Sequence, residues 1–130
     1  MKIFTDKQLK KKLDVIFSKY IRLKHSTNGV VKCITCGGLD DWKNCDAGHY
    51  ISRQHLITRY DERNVFPQCK SCNRFHEGRK DEYALFLIKE FGKNILTELN
   101  ATKWKPLYGF NFEKKIKEYK EKLKTLEEKI

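Results

Sequence analysis

The sequence predicts an α+β fold in which a metal-stapled core of short strands lies between amphipathic helices at the two ends. Apolar residues recur at helical spacing near both termini, the middle contains short strand-like runs between turn residues, and two Cys-x-x-Cys pairs enclose that middle. A length of 130 residues is typical of one domain. We divide it into a basic N-terminal helix (1–29), the core (30–100) and a C-terminal helix (101–130).

The first element, about residues 5–25, has the pattern of an amphipathic helix. Thr5 and Gln8 have the spacing of a capping box, in which each side chain bonds the other residue's backbone N–H. The apolar stripe behind this cap consists of Leu9, Leu13, Ile16, Phe17 and Tyr20. Turn residues at 26–29 then end the helix.

The middle section is predicted to contain two strands and a helix. Residues 30–33 and 50–51 have strand-like character because β-branched or aromatic residues dominate them. The apolar residues that follow Asp81 predict a helix that ends at Gly92.

The last third is predicted to hold a short helix around residues 94–99, a break at Pro106 and a final helix from about Asn111. The apolar stripe of this final helix has the alternation of a coiled-coil seam and consists of Phe112, Ile116, Tyr119, Leu123, Leu126 and Ile130. It spans under three heptads, so packing against the first helix is favoured over dimerisation. We therefore expect a monomer or a weak homodimer.

The cysteines predict a structural zinc site. An odd count of 5 in a chain without a secretion signal argues against a disulfide framework. Each Cys-x-x-Cys turn supplies two thiolates, so two such turns fill a tetrahedral zinc shell and leave no position for water. The expected ligands are Cys33, Cys36, Cys69 and Cys72. Cys45 stands apart and is interpreted as a small buried residue.

The charge of the chain predicts a polyanionic partner. Lys and Arg number 28 against 17 acidic residues, a formal net charge of +11, and residues 1–32 hold nine of the basic residues against two acidic ones. DNA contacts are expected at Lys10, Lys11 and Lys12. No apolar run approaches the length of a membrane span and the start lacks a signal-peptide pattern, so we expect a cytoplasmic protein without a membrane partner.

A histidine lies inside the loop that the cysteines close. His49 follows a glycine and is near an acidic residue, in surroundings that suit a base acting on a phosphodiester. The motifs around it are Asp46-Ala47-Gly48-His49-Tyr50, Asp61-Glu62-x-Asn64 and Gln68-Cys69-x-x-Cys72-Asn73. Over about residues 30–100 this arrangement resembles HNH nucleases and, more specifically, the NinG family of phage recombination proteins.

The resemblance implies a ββα-metal core, in which a hairpin carries the base, a helix lies behind it and one divalent cation lies between them. It also implies a metal-dependent endonuclease that acts on DNA, including branched recombination intermediates of phage DNA, in the host cytoplasm if a phage encodes it. His49 matches the general base, and Asn64 matches an Asn that orients the base or lies near the metal. Asn73 follows the second cysteine pair, where many HNH proteins have their last His.

The sequence departs from the HNH pattern at two positions. Gly48 stands where many relatives have a metal-binding Asp, and Asn73 is a weaker ligand than His. Asp46 is the nearest carboxylate, with His76 as an alternative, and oxygen ligands such as Asp46 and Asn73 favour Mg²⁺ or Mn²⁺.

Two questions stay open at this stage. Four arginines either hold phosphates beside the scissile bond or form ion pairs, with Asp61 or Glu62 as candidate partners; they are Arg53, Arg59, Arg63 and Arg74. The departures from the HNH pattern also allow an alternative function, a non-catalytic zinc-stapled DNA-binding module with a decayed nuclease site.

Overall fold

The structure is a computed structural model and describes residues 3–129. This part of the chain confirms the mixed α+β class, with helices at both ends and two small antiparallel sheets between them. The helices are α1 (Asp6–Lys24), α2 (Leu56–Arg59), α3 (Lys80–Phe91), α4 (Ile95–Lys103) and α5 (Phe112–Glu128). The strands are β1 (Val30–Lys32), β2 (Leu39–Asp41), β3 (Cys45–His49) and β4 (Val65–Cys69).

Helix α1 begins at the predicted cap. The Gln8 backbone N–H donates to the Thr5 hydroxyl at 3.2 Å, and the Thr5 N–H donates to the Gln8 side-chain oxygen at 2.9 Å. The helix ends at Lys24, and the turn after it uses the left-handed conformation at Asn28 and Gly29. Its buried face consists of Leu9, Leu13, Phe17, Ile21 and Leu23, with Ile16 and Tyr20 partly buried beside it.

Helix α5 packs along α1, as its apolar stripe predicts. The Phe17 ring meets the Tyr119 ring edge to face with centroids 5.0 Å apart, and Lys19 pairs with Glu127 at 3.0 Å. Asn111 caps α5 by accepting a hydrogen bond from the Lys114 N–H at 3.0 Å, which confirms the predicted start. Ile130, the last position of the predicted stripe, lies outside the described residues.

Glu62 joins three parts of the fold. Its carboxylate accepts hydrogen bonds from Lys24 of α1 at 2.8 Å and from Tyr119 and Lys122 of α5 at 3.0 and 3.2 Å. Burial alone would raise the pKa of Glu62, but these three donors lower it to about 2. Glu62 therefore pairs with lysines and a tyrosine, not with an arginine.

Strands β3 and β4 form the hairpin that positions the site. They pair antiparallel, with Cys45 opposite Cys69 and His49 opposite Val65. The predicted strand at 50–51 is wrong, because β3 ends at His49 and the chain bends there. The Tyr50 N–H donates to the Asn64 carbonyl at 2.9 Å, and the Ile51 N–H donates to the Asn64 side chain at 2.7 Å. The strand predicted at residues 30–33 is present as β1.

The helices after β4 cover the back of this hairpin. A five-residue π-helical segment, Ser71–Phe75, leads into α3, which ends at Gly92 as predicted. The second buried cluster consists of Phe66, Tyr83, Leu87, Ile95 and Leu99. Helix α4 extends beyond the predicted 94–99 to Lys103. None of the helices between residues 3 and 129 has the length and apolar character that crossing a membrane requires.

The packing of α1 against its neighbours predicts a large stability loss for Phe17→Ala. The ring is 2 % exposed and contacts both Tyr60 and Tyr119 edge to face. Removing it leaves a cavity, and we expect the free energy of unfolding to fall by about 3–5 kcal/mol. Urea titration followed by circular dichroism measures this change. Val15→Ala, on the same helix but 66 % exposed, should change stability by less than about 0.5 kcal/mol. Equal losses in the two variants would contradict the packing.

Candidate functional site

The four cysteines of the two Cys-x-x-Cys pairs converge, as their spacing predicts. Their sulfur atoms all lie within 4.8 Å of one another. The first pair sits on a tight knuckle after β1, in which the Gly37 N–H donates to the Cys33 carbonyl at 2.9 Å and the Cys33 N–H donates to the Gly38 carbonyl at 2.8 Å. Gly37 has a φ of 79°, a conformation that favours glycine. The second pair lies where β4 passes into the π-helical segment.

This cluster could hold a zinc ion. Two Zn–S bonds of about 2.3 Å bring sulfur atoms to separations near the 3.8 Å between Cys36 and Cys69. Arg79 donates to the Cys72 sulfur at 3.0 Å, and the Cys72 N–H donates to the Cys69 sulfur at 3.3 Å. Between residues 3 and 129 this cluster is the one group of three or more Cys, His or acidic side chains with ligand atoms close enough for a metal.

Cys45 lies outside the cluster. Its thiol donates to the Trp42 carbonyl at 3.3 Å, and burial raises its pKa to about 11. Cys45 is therefore a neutral buried side chain at pH 7, and its predicted place in the core is confirmed.

A cleft of about 560 Å³ opens between α1 and the β3–β4 hairpin. It brings together most of the residues singled out in the sequence. Asp46, His49, Arg53, Asn73 and Arg74 all line it. The structure adds four polar residues that the sequence did not indicate: Asp14 and Ser18 from α1, Ser52 from the segment after β3, and Lys80 from α3.

His49 is held in one orientation by the backbone. Its Nε2 atom lies 2.9 Å from the Arg59 carbonyl oxygen, which accepts hydrogen bonds only, so Nε2 carries the proton. Burial, together with the charges of Arg53 and Arg59, lowers the pKa of His49 to about 4 against the hydrogen bond that opposes this shift. The imidazole is therefore neutral at pH 7. Its Nδ1 atom has no partner among the described residues.

Arg59 supports His49 and is not free to bind a phosphate. Its side chain is 11 % exposed and donates to Asp14 at 2.9 Å and to the Arg53 carbonyl at 2.9 Å. Tyr60 donates to the same Asp14 carboxylate at 2.7 Å. Asp14 is thus the residue of this network that the sequence analysis did not indicate, and its one signal in the sequence is that it is acidic within a strongly basic helix.

Asp46 and Asn73 contact each other across the cleft. The Asn73 amide donates to Asp46 Oδ2 at 3.0 Å, and Arg74 donates to both carboxylate oxygens at 2.8 and 2.9 Å. Burial opposes the shift, but these donors lower the pKa of Asp46. The Asn73 side-chain oxygen has no hydrogen-bond donor within residues 3–129, so it is the one oxygen of this pair that is open to a ligand.

Gly48 has no room for a side chain. A Cβ atom there would lie 1.9 Å from Oε1 of Gln68, which is fully buried and donates to Thr35 at 3.1 Å and to the Gly78 carbonyl at 2.9 Å. Tyr83 also donates to the Gly48 carbonyl at 2.6 Å. A metal-binding Asp at this position would displace Gln68, which gives the departure from the HNH pattern at Gly48 a packing reason; the carboxylates that line the cleft are those of Asp14 and Asp46.

Asn64 does not reach the cleft. It is fully buried, and its amide donates to the carbonyls of Ile51 and Thr58 at 3.1 and 3.0 Å. Together with the bond from the Ile51 N–H, these contacts fix the chain that leaves His49. Asn64 can therefore influence His49 only through the backbone. The predicted position of Asn64 near a metal does not fit this cleft, because Asn64 does not line it.

Two further predicted residues lie away from the cleft. Arg63 pairs with Asp61 at 2.8 Å and lies 3.6 Å from Glu98, so the ion-pair alternative describes it. His76 lines a different surface pocket, beside Phe75 and Glu77, and the predicted role as a substitute ligand for the cleft does not fit this position.

The basic residues of α1 divide by helix face. Lys7, Lys11, Asp14 and Ser18 are spaced 4, 3 and 4 residues apart and therefore share one face, which runs into the cleft. Lys10 is partly buried and lies beside this face, whereas Lys12 points away and lies over the Phe4 ring at 5.4 Å. Only part of the predicted Lys10–Lys12 group can therefore continue the cleft.

Comparison with known proteins agrees with the motifs. The family model described as Bacteriophage Lambda NinG protein matches residues 1–129. Protein ninG of Salmonella phage P22 is 35% identical over 96 residues, and the proteins of the same name from Escherichia phages lambda and 933W are 34% and 33% identical over the same length. Each match covers 72% of this chain and 47% of the relative, so the chain spans about half the length of these relatives. No solved structure matches.

The cysteine cluster predicts one tightly bound zinc per chain. Because metal binding contributes to the folding free energy, Cys72→Ser should lose stoichiometric zinc and leave residues 30–80 poorly folded. Atomic absorption of the purified protein and its near-ultraviolet circular dichroism measure the two effects. Cys45→Ser is the matched control, since it removes a buried thiol outside the cluster and should keep the zinc. A folded protein without zinc, or equal zinc loss in both variants, would contradict the site.

Proposed function

The chain belongs to the NinG family, and we propose that it is a metal-dependent endonuclease that hydrolyses DNA phosphodiester bonds. The observation that carries this proposal is the placement of His49, whose Nε2–H is held by the Arg59 carbonyl, in the same cleft as the Asp46–Asn73 pair. We further propose branched recombination intermediates of phage DNA as the substrate. The hairpin, the π-helical segment and α3 then correspond to the ββα-metal core of an HNH nuclease.

His49 has the protonation state that a general base needs. Because the Nε2–H group donates a hydrogen bond to the Arg59 carbonyl, the lone pair at Nδ1 is available to take a proton from an attacking water. A neutral imidazole at pH 7 is ready for this step without first losing a proton. The Asp14–Arg59 pair fixes the carbonyl that orients the ring, so the base keeps its direction before DNA arrives.

Asp46 and Asn73 are the residues that would hold a catalytic Mg²⁺ or Mn²⁺. A carboxylate beside an amide whose oxygen is unpartnered is a donor set of the hard-oxygen type that these cations prefer. Such a cation would stabilise negative charge on the phosphate and on the leaving oxygen. Arg74 is bound to Asp46 but is 56 % exposed, so it can turn toward a phosphate when the carboxylate binds a cation.

The cleft also has the charge that DNA requires. Arg53 and Arg74 are each 56 % exposed at its rim, and Lys80 lies within it. The α1 face with Lys7 and Lys11 extends this positive surface along the helix. Arginine and lysine at these places would position the DNA backbone on both sides of the scissile bond.

One observation favours the alternative function, a non-catalytic zinc-stapled DNA-binding module. Both oxygens of Asp46 are already engaged by Arg74 and Asn73, so a cation must displace Arg74 before it can bind.

A cleavage assay with linear, nicked and four-way DNA in Mg²⁺ or Mn²⁺ distinguishes the two functions. Cleavage by the wild type supports the nuclease, and tight binding without cleavage of any of these substrates supports the module.

We expect His49→Ala to reduce cleavage by about 10²–10⁴-fold, because a general base acts in the chemical step. DNA affinity and zinc content should stay unchanged.

The pH dependence of the wild type is a second prediction. Its kcat/KM should fall far less than tenfold between about pH 7.5 and about pH 5.5, since a pKa of about 4 keeps His49 neutral in this range. If the base had the ordinary histidine pKa, kcat/KM would fall about tenfold over the same pH range.

His76→Ala is the control for the His49→Ala variant, because the His76 side chain is exposed in a different pocket. It should cleave at the wild-type rate. Full activity of His49→Ala, or an equal loss in His76→Ala, would refute the assignment of the base.

The α1 face predicts a position-dependent effect of charge on DNA binding. Changing both Lys7 and Lys11 to Gln should weaken binding and lower the slope of log affinity against log salt by about two, since each phosphate contact contributes about 0.9. Fluorescence anisotropy at several salt concentrations measures the slope. Changing Lys12 and Lys120 to Gln removes the same charge from other faces and should leave the slope nearly unchanged. Equal slopes for the two double variants would show that the α1 face with Lys7 and Lys11 has no special role in DNA binding.

A further inference from the structure

A second pocket, of about 530 Å³, lies on the other side of the chain segment that follows His49. Its volume is in the range of small-molecule binding sites. Ser52 and Lys80 line both this pocket and the cleft, so the two spaces adjoin. The cleavage chemistry proposed above uses the cleft and leaves this pocket without a role.

One face of α4 forms a wall of this pocket. Leu96, Asn100 and Lys103 are spaced 4 and 3 residues apart and all line it, whereas Ile95 and Leu99 on the other face are buried. Ile51 and Leu96 give the pocket an apolar floor. The Asn100 amide makes no hydrogen bond to any described residue, so both its donor and its acceptor are available.

An exposed aromatic residue stands at the rim. Trp104 is 70 % exposed, and its ring lies 5.1 Å from the ring of His55, which lines the pocket. The Lys103 ammonium lies 5.2 Å from the centroid of the same indole. An exposed aromatic ring flanked by lysines is typical of surfaces on which nucleic-acid bases stack.

We propose that this pocket binds a single unpaired nucleobase of the DNA strand whose phosphate lies in the cleft. A base fits the lining because it offers flat apolar faces to Ile51, Leu96 and Trp104. Its polar edge can both donate to and accept from the Asn100 amide. The phosphates on either side would supply negative counter-charges for Lys80 and Lys103, neither of which forms an ion pair within residues 3–129; Lys80 donates to the His49 carbonyl instead.

This inference rests on the proposed nuclease function and specifies its substrate. Moving a paired base out of the stack costs free energy, whereas an unpaired base at a bulge is already displaced. The pocket therefore favours DNA with an unpaired base next to the scissile phosphate over continuous duplex. Ser52 and Lys80 lie at the junction, so the base and the phosphate would belong to neighbouring nucleotides.

The test compares two oligonucleotides that contain 2-aminopurine, one paired within a duplex and one as a single-base bulge, without added Mg²⁺ or Mn²⁺ so that no cleavage occurs. Affinity is measured by anisotropy and the environment of the base by its own fluorescence. The wild type should bind the bulge at least about fivefold more tightly than the duplex, a preference of the size that one base–aromatic stack provides. Trp104→Ala and Asn100→Ala should each reduce this preference and leave duplex affinity unchanged.

Tyr108→Ala is the matched control, because Tyr108 is 98 % exposed in the same connecting segment but, unlike Trp104, has no ring contact with a residue that lines the pocket among residues 3–129. It should retain the preference. Zinc content verifies that each variant is folded, and Asn100→Ala keeps the α4 helix intact because Ala is the best helix former. Equal binding of bulge and duplex by the wild type, or a preference that both pocket variants retain, would overturn the pocket assignment and leave the nuclease proposal standing. Absence of binding to either DNA would instead overturn the nuclease proposal.

Discussion

The convergence of four cysteine sulfurs is the constraint on which the rest of this structure depends. It joins the knuckle after β1 to the end of β4 and so closes residues 33–72 into one loop. Cys69 lies opposite Cys45 in the hairpin, and the same pairing places Val65 opposite His49. A shift of one residue in this register would turn every side chain of the strand to the other face. The position of the histidine in the cleft is therefore tied to the geometry of the sulfur cluster.

A polar network behind the cleft links this hairpin to α1. Asp14 accepts hydrogen bonds from Arg53, Arg59 and Tyr60, and Arg59 in turn presents its carbonyl to His49. Ion pairs that are partly removed from water stabilise a fold only when their hydrogen-bonding groups are satisfied, and here both carboxylate oxygens have donors. Burial and the positive charges of Arg53 and Arg59 lower the pKa of His49 and outweigh the hydrogen bond to the Arg59 carbonyl, which orients the imidazole but by itself favours the charged form.

The basic residues of the chain fall into two groups with different roles. Arg59 and Arg63 are engaged in ion pairs that hold the β3–β4 connection, and their charge is locally balanced by Asp14 and Asp61. Arg53 and Arg74 are more exposed and lie at the rim of the cleft, where the proposed function has each leave its carboxylate for a phosphate. The surplus of positive charge that remains on α1 adjoins this rim. Net charge alone predicts a polyanionic partner, and the pairing of individual side chains separates the arginines that are held in ion pairs from those that stay exposed.

Local patterns alone determined several features of this protein. The capping box, the stripe of α1, the end of α3 at Gly92 and the four-cysteine cluster are visible in the sequence because each depends on residues close together or on one fixed spacing. The roles of Asp14, Gln68 and Asn64 were decided only by the tertiary structure. Asp14 meets partners more than 35 positions away in the chain, Gln68 occupies the space in front of Gly48, and the fully buried Asn64 holds the bend after His49. Such contacts form only when distant segments pack together, and no spacing within the sequence encodes them.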